Sequence, residues 1–287
     1  MYPYVLKLTF GNTQVINDAS NIQTQRQPHQ SSMDSNDILQ GFVRPSLAEF
    51  FGSLLFVLLS ALLGFSTVNS QLSTSIYEGA IVFLLMSMLA RISGGHFNPA
   101  ITISVLFCGQ CRITLGICIV FMQLFGSFIG AMLVRTLILE AAYIDIFRGS
   151  ILDESNATLV NRIQAFLLEM LLSFLISSTY LFTSIDTKGN NGIFCSAAVS
   201  IARSLVSFIG YRPLGQCANV ARSVATSAAA SIFFFDAEPW RVLYIYFFAN
   251  VIGAILASLA YWISRPQSFE CIRTDGCKDG IRESRTE

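Results

Sequence analysis

Residues 93–100 read SGGHFNPA and residues 215–223 read GQCANVARS. Each segment contains a glycine-bearing loop that leads into a short apolar stretch, and these stretches are Asn98–Phe107 and Asn219–Ala230. A helix needs roughly 17–25 mostly apolar residues to cross the hydrocarbon core of a bilayer, so neither stretch can span it. The pattern is typical of half-helices that enter a membrane and stop near its middle.

Longer apolar stretches surround these two segments. Hydrophobic side chains make up 53% of the 287 residues, charged side chains only 13%, and the mean hydropathy is +0.58. Six stretches are long enough to span a bilayer: Leu47–Val68, Ile76–Ile92, Ile113–Leu139, Ile163–Ile185, Ile193–Tyr211 and Trp240–Ile263. We therefore predict an all-α membrane protein. Because 18 Lys and Arg balance 18 Asp and Glu, the chain lacks the positive charge expected of a nucleic-acid-binding protein.

A repeat organises the six predicted spans. Glu49 in the first span precedes Asn98 by 49 residues, and Glu169 in the fourth span precedes Asn219 by 50 residues. A unit of three spans thus occurs twice, and because three is odd, the second copy is inverted relative to the first. We expect repeat one to cover residues 47–139 and repeat two to cover 163–263. The predicted channel domain, 47–264, is then flanked by an N-terminal tail, 1–46, and a C-terminal tail, 265–287.

The distribution of Lys and Arg next to the membrane predicts the orientation. These residues are concentrated on the side that holds both tails, whereas residues 140–160 carry Arg148 against four acidic side chains. Both termini are therefore expected to be cytoplasmic. Asn156-Ala157-Thr158 is an N-glycosylation sequon that this orientation places on the outer side. The sequence leaves open whether the membrane is the plasma membrane or an intracellular one.

The start of a half-helix in mid-membrane exposes backbone N–H groups and a positive dipole end where water is scarce. Asn98 and Asn219 are suited to cap these ends with their side-chain oxygens, which leaves their NH₂ groups free to donate into a channel. Pro99 fits the first helical position because that position needs no backbone donor, and Val220 occupies the equivalent place.

Two acidic residues lie inside predicted spans, where an ionised group is costly unless it is paired. We interpret Glu49 and Glu169 as carboxylates that hold the backbone N–H groups of the two loops. Loops held in this way would align their carbonyl oxygens along a narrow pore.

The two loops resemble the paired signature loops of the aquaporin (major intrinsic protein) family. The resemblance rests on the following residues: Gly94, Gly95, His96, Asn98, Pro99, Ala100, Gly215, Cys217, Asn219 and Ala221. It extends from about Val43 to Ile263 and implies a six-helix bundle with two re-entrant half-helices. It also implies a passive channel for water and small neutral solutes, embedded in lipid as a homotetramer, with no cofactor. Val220 departs from the family pattern, which has Pro there.

Within this family, the segment Phe42-Val43-Arg44-Pro45 and the Cys two residues before the second Asn are most similar to the aquaporin-eight branch. This likeness implies permeability to ammonia and hydrogen peroxide.

The resemblance also implies an outer constriction built from four positions. Arg222 matches the family's Arg, Gln216 takes a loop position, and Glu78 stands where an aromatic residue or His is usual. The fifth-span position is Ser204, Leu205 or Ser207, and counting without a gap gives Ser207. We predict that Glu78 forms a charge-assisted hydrogen bond with Arg222. Conduction should then be low at neutral pH, and Glu78→His should raise it.

Three alternatives remain at this point. The chain could be a poorly conducting scaffold of the same fold, or a cation-leaky channel, because Glu78 offsets the charge of Arg222. An intramembrane enzyme is disfavoured because the sequence contains neither a Gly-x-Ser-x-Gly nor a His-Glu-x-x-His motif.

Other polar groups are less informative. A metal site is not expected, because His96 and His29 are the only histidines, and the Cys108-x-x-Cys111 spacing is read as coincidence. Cys217 is a candidate for block by mercurials. No role is assigned to Arg203, an intramembrane cation.

Overall fold

The computed structural model describes residues 35–65, 71–139, 160–185, 192–215, 218–235 and 237–264. The helices in these ranges are α1 (Ser35–Ile38), α2 (Arg44–Leu62), α3 (Gln71–Ser93), α4 (Pro99–Phe107), α5 (Ile113–Leu137), α6 (Arg162–Tyr180), α7 (Gly192–Leu214), α8 (Val220–Phe234) and α9 (Glu238–Ser264). Six of the helical segments in the described residues are long and apolar enough to cross a membrane. The protein is an integral, multi-pass membrane protein.

The first span begins earlier than predicted. A π-helical turn, Leu39–Val43, joins α1 to α2, so the continuous helical segment starts at Leu39 rather than at Leu47. Pro45 lies in the first turn of α2, where the missing backbone N–H costs little. The predicted tail 1–46 therefore ends in helix, and residues 1–34 and 265–287 lie outside the described residues.

Helix packing shows the inverted repeat. In repeat one α2 packs along α5, and in repeat two α6 packs along α9. The remaining long helix of each repeat, α3 or α7, packs against its counterpart in the other repeat. Each half-helix also crosses over, because α4 contacts α9 and α8 contacts α5. The two repeats are thus interlocked around the two half-helices.

Glycines permit the close contact within each repeat. A Cβ atom at Gly126 would overlap the carbonyl oxygen of Phe50, and one at Gly130 would overlap that of Leu54. In repeat two, a Cβ at Gly253 would lie 2.5 Å from the Met170 carbonyl oxygen. The small residues of α5 therefore permit close helix packing inside one subunit.

Apolar side chains cover the outer surface of the helix bundle, and polar side chains lie in its interior. Large hydrophobic side chains such as Phe121, Ile201 and Trp262 are exposed, whereas Glu49 and Gln123 are fully buried. This arrangement suits a surface that faces lipid and an interior that contains a polar path. Below, the tail side is the face where α2 begins and α9 ends, and the far side is the opposite face.

Candidate pore and its constrictions

The two half-helices begin next to each other in the centre of the bundle. Asn98 caps α4 by accepting a hydrogen bond from the Ala100 N–H at 3.0 Å. Asn219 caps α8 by accepting from the N–H groups of Ala221 at 3.1 Å and Arg222 at 3.3 Å. Both helix starts therefore direct their positive ends to the same central point.

The side-chain amides of the capping residues also tie the loops together. Asn98 Nδ2 donates to the Ala218 carbonyl at 2.7 Å, and Asn219 Nδ2 donates to the Phe97 carbonyl at 2.9 Å. We expected both NH₂ groups to be free to donate into a channel, and this was wrong for one hydrogen of each. An amide nitrogen has two hydrogens, so one remains on each Asn for another acceptor.

Glu49 holds the first loop. Its Oε1 accepts from Ser93 Oγ at 2.6 Å and the His96 N–H at 2.9 Å. Its Oε2 accepts from the Phe97 N–H at 2.7 Å and Gln123 Nε2 at 2.8 Å. Four donors thus surround a carboxylate that is fully buried, which offsets the cost of removing it from water.

Glu169 plays the corresponding part in repeat two. Its Oε1 accepts from the Ala218 N–H at 2.7 Å and from Asn250 Nδ2 at 2.6 Å. Asn250 and Gln123, on the last helix of their repeats, were not predicted as partners. A polar residue inside an apolar span was the signal that could have identified them.

The backbone is strained at the residue before each capping Asn. Phe97 and Ala218 directly precede the two Asn residues and have φ angles of 45° and 58°. Non-glycine residues in this left-handed region cost on the order of 1–3 kcal/mol. Their N–H groups are bound by Glu49 and Glu169, so each carboxylate stabilises the strained residue of its loop.

A buried charge cluster lies between the cavity and the far side. Glu78 Oε1 is 2.6 Å from Arg222 Nη1, and Glu78 Oε2 is 2.6 Å from Arg203 Nη2 and 3.0 Å from Arg203 Nε. Both guanidinium groups lie over the Phe56 ring, with Cζ atoms 5.2 and 5.5 Å from its centroid. None of the three charged residues is more than 2% exposed. We call Glu78, Arg203 and Arg222 the outer cluster.

A small cavity lies between the outer cluster and the first loop. Its walls include Phe56, His96, Asn98, Ile176, Arg203 and Asn219. It offers about 20 Å³ to the centre of a water molecule, and about 10–15 Å³ is enough to hold one water. The cavity therefore suits a solute no larger than one or two water molecules.

Comparison with known proteins decides the family. The family model described as "Major intrinsic protein" matches residues 39–261, more than half of the chain. The chain belongs to the major intrinsic protein family. Members are membrane channels rather than enzymes, so the six helices and two half-helices form a channel protein.

Individual relatives agree with this assignment. The chain is 27% identical to Aquaporin-5 of Mus musculus over 225 residues, covering 77% of this chain and 80% of the relative. It is 25% identical to Aquaporin C of Dictyostelium discoideum over 236 residues, covering 78% and 80%. The solved aquaglyceroporin of Plasmodium falciparum has a TM-score of 0.66 at 19% identity, covering 76% of this chain and 95% of that one. This structure supports the aquaporin fold alone.

The fifth-span residue that contacts Glu78 is Arg203, which was not among the three candidates from the sequence. Arg203, to which the sequence assigned no role, contacts Glu78, and Ser207 does not, although Ser207 is buried one turn further along α7. Leu205 is 46% exposed on the outer surface, and Ser204 packs against Gly79. An Arg inside a membrane span is costly, so the position of Arg203 was itself a signal of function.

Other predicted residues have simpler outcomes. Gln216, Cys217 and Asn156 lie outside the described residues. Cys108 and Cys111 are free cysteines. Burial raises the pKa of the Cys111 thiol, which keeps it protonated and unreactive at neutral pH. Within the described ranges no group of His, Cys, Asp and Glu could hold a metal ion.

Proposed function

We propose that this channel conducts water, and neutral solutes of similar size such as ammonia and hydrogen peroxide, slowly and in single file between Asn98 and Asn219. The observation that carries this proposal is the central cavity, which has room for one or two waters and is bounded by both capping residues. Each Asn keeps one amide hydrogen to donate, and the backbone of Gly95 and His96 at the cavity wall supplies acceptors.

The electrostatics of the path disfavour cations. Both half-helices direct positive dipole ends at the centre, and the outer cluster carries two guanidinium groups against one carboxylate, a net charge of +1. A cation-leaky channel was one alternative from the sequence, which places Glu78 opposite a single Arg. The second arginine, Arg203, removes the basis for that expectation, and a neutral-solute channel is the better interpretation.

The outer cluster also limits the rate. Three guanidinium N–H groups that could bind a passing water are held by Glu78 instead, and the Phe56 ring covers both guanidinium groups. A solute must separate or pass this network, so we expect slow conduction at neutral pH. The alternative of a non-conducting scaffold would show no solute flux above that of lipid alone.

The test is stopped-flow light scattering on proteoliposomes after an osmotic step, with conductance recorded on planar bilayers from the same protein. Ammonia and peroxide entry are followed with entrapped pH and peroxide dyes. Asn219→Ala should reduce water flux, because it removes a pore donor and a cap worth about 0.5–2 kcal/mol. The result that contradicts the proposal is wild-type flux in Asn219→Ala at equal protein density, or a cation conductance in the wild type.

A matched control separates the pore effect from the loss of a cap. Asn161 caps α6 at the membrane face, where it accepts from the Gln164 N–H at 2.9 Å. Asn161→Ala removes a similar cap away from the pore, so its flux per folded subunit should equal that of the wild type.

Orientation and assembly complete the proposal. We place both termini in the cytoplasm because Lys and Arg are concentrated on the tail side, and we expect a homotetramer because this family resemblance implies one. Glycosylation at Asn156 in a microsomal translation system tests the first point. Native mass spectrometry of the detergent-solubilised protein tests the second.

A further inference from the structure

A buried tyrosine lies one helical turn beyond the cavity on its tail side. Tyr180 is the last residue of α6 and is directly followed by a π-helical turn, Leu181–Ile185. Only 3% of Tyr180 is exposed. It lies 11 residues beyond Glu169, which corresponds to about 16 Å along the helix towards the tail side. Ile176, one turn before it, lines the cavity, so Tyr180 lies just past the end of the open space.

The tyrosine contacts the first loop through both its ring and its hydroxyl group. The hydroxyl donates to the Gly94 carbonyl at 2.9 Å. The ring meets His96 edge to face, with centroids 5.0 Å apart and an interplanar angle of 89°. His96 is fixed in turn, because its Nδ1 is 3.1 Å from Thr102 Oγ1. The aromatic pair therefore adjoins the cavity, since His96 is one of its walls.

Gly94 has a conformation that brings these groups together. Its φ angle is +98°, and a Cβ placed on it would lie 3.0 Å from both the Tyr180 hydroxyl and His96 Nε2. Glycine adopts this conformation at no steric cost, and the absent Cβ leaves room for the hydroxyl. The loop backbone thus approaches the tyrosine more closely than any other residue at position 94 would allow.

We propose that Tyr180 is a second selectivity residue, which closes the tail-side end of the pore by filling the space beside His96 and occupying the Gly94 carbonyl. This proposal rests on the pore proposed above. It differs from the outer cluster in chemistry, because this barrier is an uncharged aromatic group held by neutral hydrogen bonds with Gly94 and with the side chain of Ser184. Neutral hydrogen bonds are weaker than charge-assisted ones, so this closure is weaker than that of the outer cluster.

The test measures access from one side and needs no flux through the outer cluster. Ile176→Cys places a thiol in the cavity wall. Sealed vesicles whose C-terminal tag faces the medium are treated with a charged methanethiosulfonate reagent, and modification at position 176 is followed by mass spectrometry of the peptide. Tyr180→Ala in the Ile176→Cys background should raise the modification rate by about ten-fold or more.

Tyr180→Phe is the second variant, and it keeps the ring while freeing the Gly94 carbonyl. Loss of the hydroxyl group and its hydrogen bonds should raise the rate by about three-fold or more. Tyr246→Phe is the matched control, because its buried hydroxyl donates to another backbone carbonyl, that of Leu214, at 2.7 Å. Its rate should be that of the parent.

The proposal would be overturned if the thiol at position 176 were modified at the same rate in the Ile176→Cys parent and in a folded protein that also carries Tyr180→Ala or Tyr180→Phe. A rate increase in all three tyrosine variants would do the same, because it would indicate general loosening. These outcomes are separate from failure of the proposed function, which would appear as absent water flux in the wild type while the access difference persists.

Discussion

The outer cluster makes a sharp prediction about Glu78. From the sequence, Glu78→His was expected to raise flux by itself, because only Arg222 was expected as its partner. The structure shows that Glu78 binds Arg203 as well. It accepts two hydrogen bonds from Arg203 and one from Arg222. Replacing Glu78 alone leaves two guanidinium groups side by side, each 2% exposed, with a net charge of +2.

The magnitude follows from the burial of these groups. Removing one partner of a buried ion pair costs about 3–5 kcal/mol, a large part of a total stability of about 5–15 kcal/mol. For a domain of this size the loss corresponds to a fall in Tm of roughly 6–20 °C. We therefore expect Glu78→His to give little folded protein.

A second substitution should restore part of the stability and raise the flux. Glu78→His combined with Arg203→Leu leaves Arg222 as the sole charge, so the net charge stays at +1. The double variant removes one of the two unpaired guanidinium groups, so it should recover part of the Tm lost in Glu78→His, while Arg222 still lacks its carboxylate partner. Because the Arg222 donors are no longer held by Glu78, its water flux should exceed that of the wild type several-fold.

The assay is thermal unfolding in detergent followed by stopped-flow osmotic shrinkage at matched protein density. The exposed pair Glu238–Arg241, at 62% and 69% exposure, provides the control. Glu238→His, alone or with Arg241→Leu, should shift stability by less than about 1 kcal/mol. The reasoning is refuted if Glu78→His is as stable as the wild type, if the double variant is no more stable than the single one, or if a stable double variant shows unchanged flux.

Three further predictions concern the scaffold. Val220→Pro should fold and conduct at least as well as the wild type in the same flux assay, because the first helical position needs no backbone donor; loss of expression would show that the buried Val220 side chain is required. Gly126→Ala should lower Tm, because its Cβ would overlap a carbonyl oxygen of α2, whereas Gly192→Ala, with open space around its Cβ, should not. Glu49→Gln should reduce both folded yield and flux, because the amide nitrogen of Gln cannot accept hydrogen bonds and four donors surround this side chain. The control is Glu238→Gln at an exposed position, with folded yield measured by size-exclusion chromatography. Equal yields of the two variants would contradict this prediction.

The sequence predicts local features of the channel well. The six spans follow from the length and hydropathy of each segment, and the half-helix starts follow from Asn beside a short apolar stretch. The matched spacing of Glu49 to Asn98 and of Glu169 to Asn219 is enough to predict the inverted repeat. Each of these features depends on residues that are close in the chain, or on one pattern that occurs twice. The earlier start of the first span was missed because the first 46 residues were read together as a polar tail.

The partners of the buried polar groups were decided by the tertiary structure. Arg203 is 125 residues from Glu78, and Asn250 is 81 residues from Glu169. Tyr180 is 86 residues from Gly94. Hydropathy shows that such residues are inside a membrane but not how each helix is rotated about its axis or how deep it lies. A rotation of one residue, about 100° for a helix of 3.6 residues per turn, would direct Arg203 away from Glu78. The packing of α3 against α7 sets that rotation, and with it the charge and size of the pore.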